Sequence, residues 1–225
     1  MDGPRLAIII PAYREAASIL RVARAAADYG SVLVIDDCSP DETASLAAEA
    51  GATVVRNGRN LGYDGTLSRG FEEAVRLEFS HVVTMDADGE HEPGALAEFR
   101  RLLLDEGVPL VLGVRPRKQR IAELVMGRYV QLRFGVHDIL CGMKGYDLAL
   151  WRMNGGFDHS DSIGTELALN SLRRGVSFRE VAVPGVRRQD APRFDRRMRA
   201  NLRILAAMLK AMRRELARDR QTRPA

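Results

Sequence analysis

Apolar residues gather along this chain in short runs that stop at glycine, proline or acidic residues, and the runs alternate with stretches of helical spacing. Residues 6–10 are apolar throughout and end at Pro11, the pattern of a buried strand. Over 15–29, Ala16, Ile19, Leu20, Ala23 and Ala27 recur at helical spacing until Gly30 ends the pattern. A second strand over 32–35 runs into Asp36-Asp37. Ser39-Pro40-Asp41-Glu42 then opens a helix, with Ser39 as its N-cap and Pro40 at the first helical position. A third strand covers 53–55, and a third helix over 62–79 turns Leu67, Phe71, Ala74, Val75 and Leu77 inward. Residues 81–85 form a fourth strand, 93–104 a helix and 109–114 a fifth strand. Strands alternating with helices across short loops predict a Rossmann-like α/β fold, a mostly parallel sheet flanked by helices.

The second half is less regular. Residues 121–134 and 165–174 read as helices, and 177–183 as a strand ended by Pro184. Residues 138–146 are spaced by glycines and fit neither period. From about 195 to 218, Met198, Leu202, Leu205, Leu209, Met212 and Leu216 make one apolar stripe, with Arg197, Arg203, Lys210, Arg213, Arg214 and Arg218 off it. The chain therefore divides into a main domain, 1–194, and a basic amphipathic C-terminal helix and tail, 195–225. Such a helix can dock on the body, form the seam of a homodimer, or lie on anionic lipid as a peripheral membrane contact.

Charge sharpens that division. Residues 187–225 hold 13 basic against 4 acidic residues, whereas the remainder is net acidic. The tail lacks the aromatic interleaving of a nucleic-acid surface, so nucleic acid is not an expected partner. Cys38 and Cys141 are far apart and have no histidine at ligand spacing, which disfavours a disulfide framework or a zinc site. Arg5 is followed by only a short apolar run before Pro11, and no stretch reaches the ~20 apolar residues of a membrane span. The expected location is cytoplasmic, with peripheral contact at the inner membrane face.

The chemistry concentrates where the fourth strand ends, in Asp86-Ala87-Asp88-Gly89-Glu90-His91. Ligands of open α/β sheets bind at the carboxyl ends of strands. Asp86, Asp88 and Glu90 offer hard oxygen ligands to Mg²⁺ or Mn²⁺, which take their remaining ligands from phosphates and water. The glycine-rich turn of a dinucleotide site is missing after the first strand, where Pro11-Ala12-Tyr13-Arg14-Glu15 stands, and no P-loop is present. Asp36 and Asp37 can accept hydrogen bonds from a base or ribose, or cap a helix.

Four segments occur in one order: Pro11-Ala12-Tyr13-x-Glu15, Val34-Ile35-Asp36-Asp37-x-Ser39-Pro40-Asp41-x-Thr43, Asn60-x-Gly62-x-x-Gly65 and Asp86-Ala87-Asp88-Gly89-x-His91. Together they resemble glycosyltransferase family 2, which has the GT-A fold. The second half resembles the dolichol-phosphate mannose synthase and polyprenyl-phosphate glycosyltransferase branch, through Gly113-Val114-Arg115, the 138–144 segment and Ile163-Gly164-Thr165-Glu166-Leu167. Arg187-Arg188-x-x-Ala191-Pro192-Arg193-Phe194 is similar to that branch's basic loop but lacks its Gly and Ser. The resemblance implies that Pro11, Tyr13, Glu15 and Asp37 line the base and ribose of a UDP- or GDP-sugar, and that Gly65 permits close backbone approach. It implies that Asp86 and Asp88 contact the donor diphosphate and its metal. Arg115, Arg128 and Arg193 are candidates for gripping phosphate oxygens, a task suited to the guanidinium fork.

The implied reaction is inverting attack on the sugar anomeric carbon with loss of a nucleoside diphosphate. A polyprenyl phosphate, with a second pKa near ~6, arrives ionised and needs no general base. A hydroxyl acceptor on a glycan or small molecule would need one, and Glu166 or Asp138 is the candidate.

Overall fold

The structure is a computed structural model that describes Gly3 and residues 5–116, 121–158 and 162–185. Arg193 and the predicted C-terminal helix lie outside the described residues.

The elements run β1 (Leu6–Ala12), α1 (Ile19–Ala27), β2 (Ser31–Asp36), α2 (Thr43–Glu49), β3 (Thr53–Arg56), α3 (Gly62–Arg76), β4 (His81–Thr84) and α4 (Ala95–Arg100). They continue with β5 (Leu110–Val114), α5 (Ile121–Phe134), β6 (Lys144–Asp147), α6 (Leu148–Asn154), α7 (Glu166–Arg173) and β7 (Phe178–Ala182). Among the described residues one seven-stranded sheet has the order β3-β2-β1-β4-β6-β5-β7. All pairings are parallel except those of β6, which runs antiparallel to both β4 and β5. Its central strands are apolar on both faces because helices cover both. One core layer lies under α3, α5, α6 and α7, around Phe71, Tyr146 and Phe157. The other lies under α1 and α4, around Ile8, Ile10 and Phe99.

β1 is the pivot. The chain passes from it to β2 on one side, and β4 later fills the other side. Such a switch opens a crevice beyond the carboxyl ends of the strands. The antiparallel β6 adds to it, because its start lies beside the end of β4, with Lys144 opposite Thr84.

Three expectations need correction. The helix expected from residue 15 starts at Ile19: Arg14 has φ 60°, and the Glu15 N–H donates to Thr43 Oγ1 at 2.9 Å, so 13–18 is a loop beyond the end of β1. Ser39 is no N-cap, and the helix begins at Thr43; the Ser39 hydroxyl instead accepts from the Arg14 N–H at 3.1 Å. The unassigned stretch 138–146 contains the start of β6, and α6, which the sequence pattern does not predict, follows at once. The helix over 93–104 ends in a π-helical turn, Arg101–Asp105. Among the described residues no helix is long and apolar enough to cross a membrane.

Candidate active site

The crevice is a cleft of about 510 Å³. Pro11 at the end of β1, Tyr13 and Glu15 just after it, Asp37 after β2, and Asp86 and Asp88 after β4 all line it. Three strand ends thus bring together six residues that the sequence singles out. Leu140, Gly142 and Ile163 from the second half complete the wall.

Each carboxylate is held by its surroundings. Asp37 is buried, and its Oδ1 accepts from the Leu61 N–H at 2.7 Å and from Asn57 Nδ2 at 2.9 Å. Its Oδ2 accepts from the Gly62 N–H at 2.9 Å. It therefore binds the start of α3, where unpaired helix N–H groups need acceptors, while still facing the cleft. Asp36 is turned inward to Arg56 and the Ser39 N–H. The Tyr63 hydroxyl donates to Asp86 Oδ1 at 3.0 Å. Burial, and then the Asp86 charge, push the Tyr63 pKa well above its ordinary value, so the phenol stays a donor. The Glu90 N–H donates to Asp88 Oδ1 at 3.0 Å, which fixes the turn after β4.

The family model described as Glycosyl transferase family 2 matches residues 7–133, more than half of the chain and every strand-end segment just described. The chain belongs to glycosyl transferase family 2. This family 2 glycosyltransferase is 32% identical over 165 residues to the polyprenol monophosphomannose synthase of Mycolicibacterium smegmatis, covering 63% of this chain and 61% of that protein. It is 28% identical over 209 residues to the undecaprenyl-phosphate mannosyltransferase of Micrococcus luteus, covering 82% and 85%. In fold it matches glucosyl-3-phosphoglycerate synthase from Mycobacterium tuberculosis, crystallised with Mn²⁺, UDP and glucosyl-3-phosphoglycerate. The TM-score is 0.76 at 20% identity over 93% of this chain and 80% of the other. The same synthase with Mg²⁺ and UDP gives a TM-score of 0.77 at 22% identity over 93% and 79%. The sheet and its flanking helices are thus the GT-A architecture that the sequence motifs imply.

Other candidate residues of this glycosyltransferase fall elsewhere. Asp138 is 3% exposed and clamped by Arg115, whose Nε and Nη2 donate to its two oxygens at 2.7 and 3.0 Å. Burial raises the carboxyl pKa, but the guanidinium outweighs it and holds the group below its ordinary value. Arg115 also lies 3.9 Å from the buried Glu123 on α5. Glu166 is 5% exposed at the start of α7, outside the cleft wall. Arg128 is exposed on α5, away from the cleft. Gly65 sits inside α3, where an added Cβ would meet Leu61 Cβ at 2.9 Å; on this helix Gly62, not Gly65, lines the cleft. Among the described residues no three His, Cys, Asp or Glu side chains gather as ligands, so Glu90 does not join Asp86 and Asp88 in a cluster.

Sequence reasoning missed several contributors. His91 is buried with its Nε2 3.8 Å from Asp86 Oδ2, and its Nδ1 has no hydrogen-bond partner among the described residues. Lys144 is buried on β6, and burial pushes its pKa down against the nearby Cys141 thiol and the Asp86 and Asp138 carboxylates. Gly142 lies under the Asp86 carboxylate. His91, Gly142, Lys144 and Ile163 belong to the quoted motif segments, which is the available signal. Tyr63 and Asp64 fall on unspecified positions between Gly62 and Gly65 and have none.

Proposed function

We propose that this enzyme moves a sugar from a nucleoside-diphosphate sugar to a polyprenyl phosphate, with inversion and with Mg²⁺ or Mn²⁺. The observation that carries the donor half is the meeting of Asp37 after β2 with Asp86 and Asp88 after β4 around one cleft. Pro11 and Tyr13 offer an apolar and aromatic surface for the base, and Asp37 and Glu15 offer acceptors for base or ribose. Asp86 and Asp88 fit a hard cation: two carboxylates suffice where donor phosphates and water fill the remaining positions. Held there, a cation would supply positive charge against the negative charge that develops on the leaving diphosphate. Tyr63 orients Asp86, and the Glu90 N–H orients Asp88.

The acceptor half rests on the two relatives whose names specify polyprenyl or undecaprenyl phosphate, and on the state of the candidate bases. With Asp138 committed to Arg115 and Glu166 outside the cleft wall, neither is poised to deprotonate a hydroxyl. A phosphate acceptor needs no such group, because it arrives ionised. The basic segment 187–225, including Arg193, supplies positive charge for a lipid phosphate and an anionic membrane face.

The test is transfer from radiolabelled UDP- and GDP-sugars to polyprenyl phosphate with Mn²⁺, counting label in the organic phase. Label is expected there, and it should vanish with EDTA and in Asp88→Ala. Nucleoside diphosphate release only with hydroxyl acceptors would overturn the lipid-phosphate reading and return Glu166 to the role of base. Tyr63→Phe, which deletes one hydrogen bond to a carboxylate that orients a metal, should slow transfer about 10- to 100-fold. An unchanged metal requirement and rate would show that Asp86 needs no such support.

A further inference from the structure

The first turn of α3 touches three parts of the site through three consecutive residues. The Gly62 N–H donates to Asp37 at 2.9 Å, and the Tyr63 hydroxyl donates to Asp86 at 3.0 Å. Asp64, buried at 6% exposure, turns to the other half of the chain. Its Oδ2 accepts from the Ile163 N–H at 3.2 Å and its Oδ1 from the Gly164 N–H at 2.5 Å.

Those two N–H groups belong to residues in the left-handed region, Ile163 with φ 57° and Gly164 with φ 65°. Glycine adopts that conformation freely, but a β-branched residue is a genuine outlier there. Consecutive N–H groups in such a turn form a concavity for an anion, and the Asp64 carboxylate occupies it. Gly164 also packs on the Tyr63 ring, since an added Cβ would lie 3.2 Å from its Cε1. The strained residue is the one that forms cleft wall. Relaxing Ile163 to negative φ would re-aim its side chain.

The cleft wall has two sides. The ends of β1, β2 and β4 with the start of α3 carry the carboxylates and the aromatic surface, and Leu140, Gly142 and Ile163 come from the second half. A nucleotide seated on the first set leaves the second as the surface that an acceptor meets. We propose that Asp64 is a positioning residue for the acceptor side. It holds Ile163 in the wall and ties that wall to the same helical turn that grips Asp37 and Asp86. The inference rests on the glycosyl-transfer reading of the cleft.

The test compares wild type with Asp64→Ala and Asp64→Asn in three measurements. Amide exchange at Ile163 and Gly164 needs no substrate, and it should speed up about tenfold or more when a buried charged acceptor is removed. The KM for polyprenyl phosphate should rise about tenfold, while the Kd for UDP and GDP stays within about twofold. Ile163→Gly, which keeps the turn without strain but removes the wall side chain, should raise the same KM while the Kd for UDP and GDP again stays within about twofold. Unchanged exchange at 163 and 164, or acceptor KM and nucleotide Kd rising together, would overturn the proposal. A wild type inactive on every acceptor would count against the function instead, and the exchange measurement would still decide whether Asp64 holds the turn.

Discussion

Gly142→Ala is expected to lower the transfer rate by about two to three orders of magnitude while the protein stays folded. An added Cβ at this position would lie 2.1 Å from Asp86 Oδ2 and 2.5 Å from its Cγ, too close for both to remain. The backbone cannot retreat easily, because the Thr84 hydroxyl donates to the Gly142 carbonyl at 2.7 Å in the pairing of β4 with β6. The carboxylate is the mobile partner, so Asp86 swings away, breaks its bond from Tyr63 and leaves the place where a metal-bound diphosphate would need it. Turning one half-buried side chain costs little stability, so the loss should appear in kcat with Tm nearly unchanged. Nucleoside diphosphate release and circular dichroism on one preparation check both. If the effect runs through Asp86, Gly142→Ala combined with Asp86→Asn should be no slower than Asp86→Asn alone, since groups acting as a unit are not additive. A multiplicative loss would mean that Gly142 acts by another route.

The same contact explains which parts of the molecule are legible in the sequence. β1, β2, β4 and β5 can be read because each is a short apolar run, buried by helices on both faces and stopped by turn chemistry. The carboxylates at their ends are legible for the same reason: a polar residue just past a buried strand stands where ligands bind. β6 lies inside the sheet between β4 and β5, yet its pattern is overwritten by contact demands. Gly142, just before it, must be small under Asp86, and Gly145 must be small because an added Cβ would lie 2.9 Å from Leu103 Cδ1. Lys144 puts a charge where the period calls for an apolar residue. Asp64 and Ile163 meet across 99 positions, so no local spacing points from one to the other. Ser39 shows the converse failure. Its local signature is that of a helix cap, but a loop arriving from β1 takes its hydroxyl.

Arg115→Ala is expected to destabilise the fold by about 3–5 kcal/mol, because it strands the buried Asp138 carboxylate. The two hydrogen bonds at 2.7 and 3.0 Å form the planar bidentate fork that compensates for desolvating that charge. Replacing the pair together, Arg115→Met with Asp138→Leu, should recover much of the stability, since no uncompensated charge remains. Urea unfolding of the three proteins checks the order. pH supplies a second signature. In the wild type the Asp138 pKa lies below its ordinary 3.8. The pair's contribution is therefore fully present above about pH 4 and is lost as pH falls through the lower folded value. In Arg115→Ala burial acts alone and raises that pKa, so protonation relieves the variant as pH falls. The stability gap between wild type and Arg115→Ala should thus narrow from pH 7 towards pH 4. A gap that stays constant would mean that Asp138 finds another cation or reaches water. The same depressed pKa argues against Asp138 as a general base, because a carboxylate clamped by Arg115 has little tendency to take a proton. A pH–rate profile that is flat through the carboxylate range would agree with an acceptor that arrives already ionised.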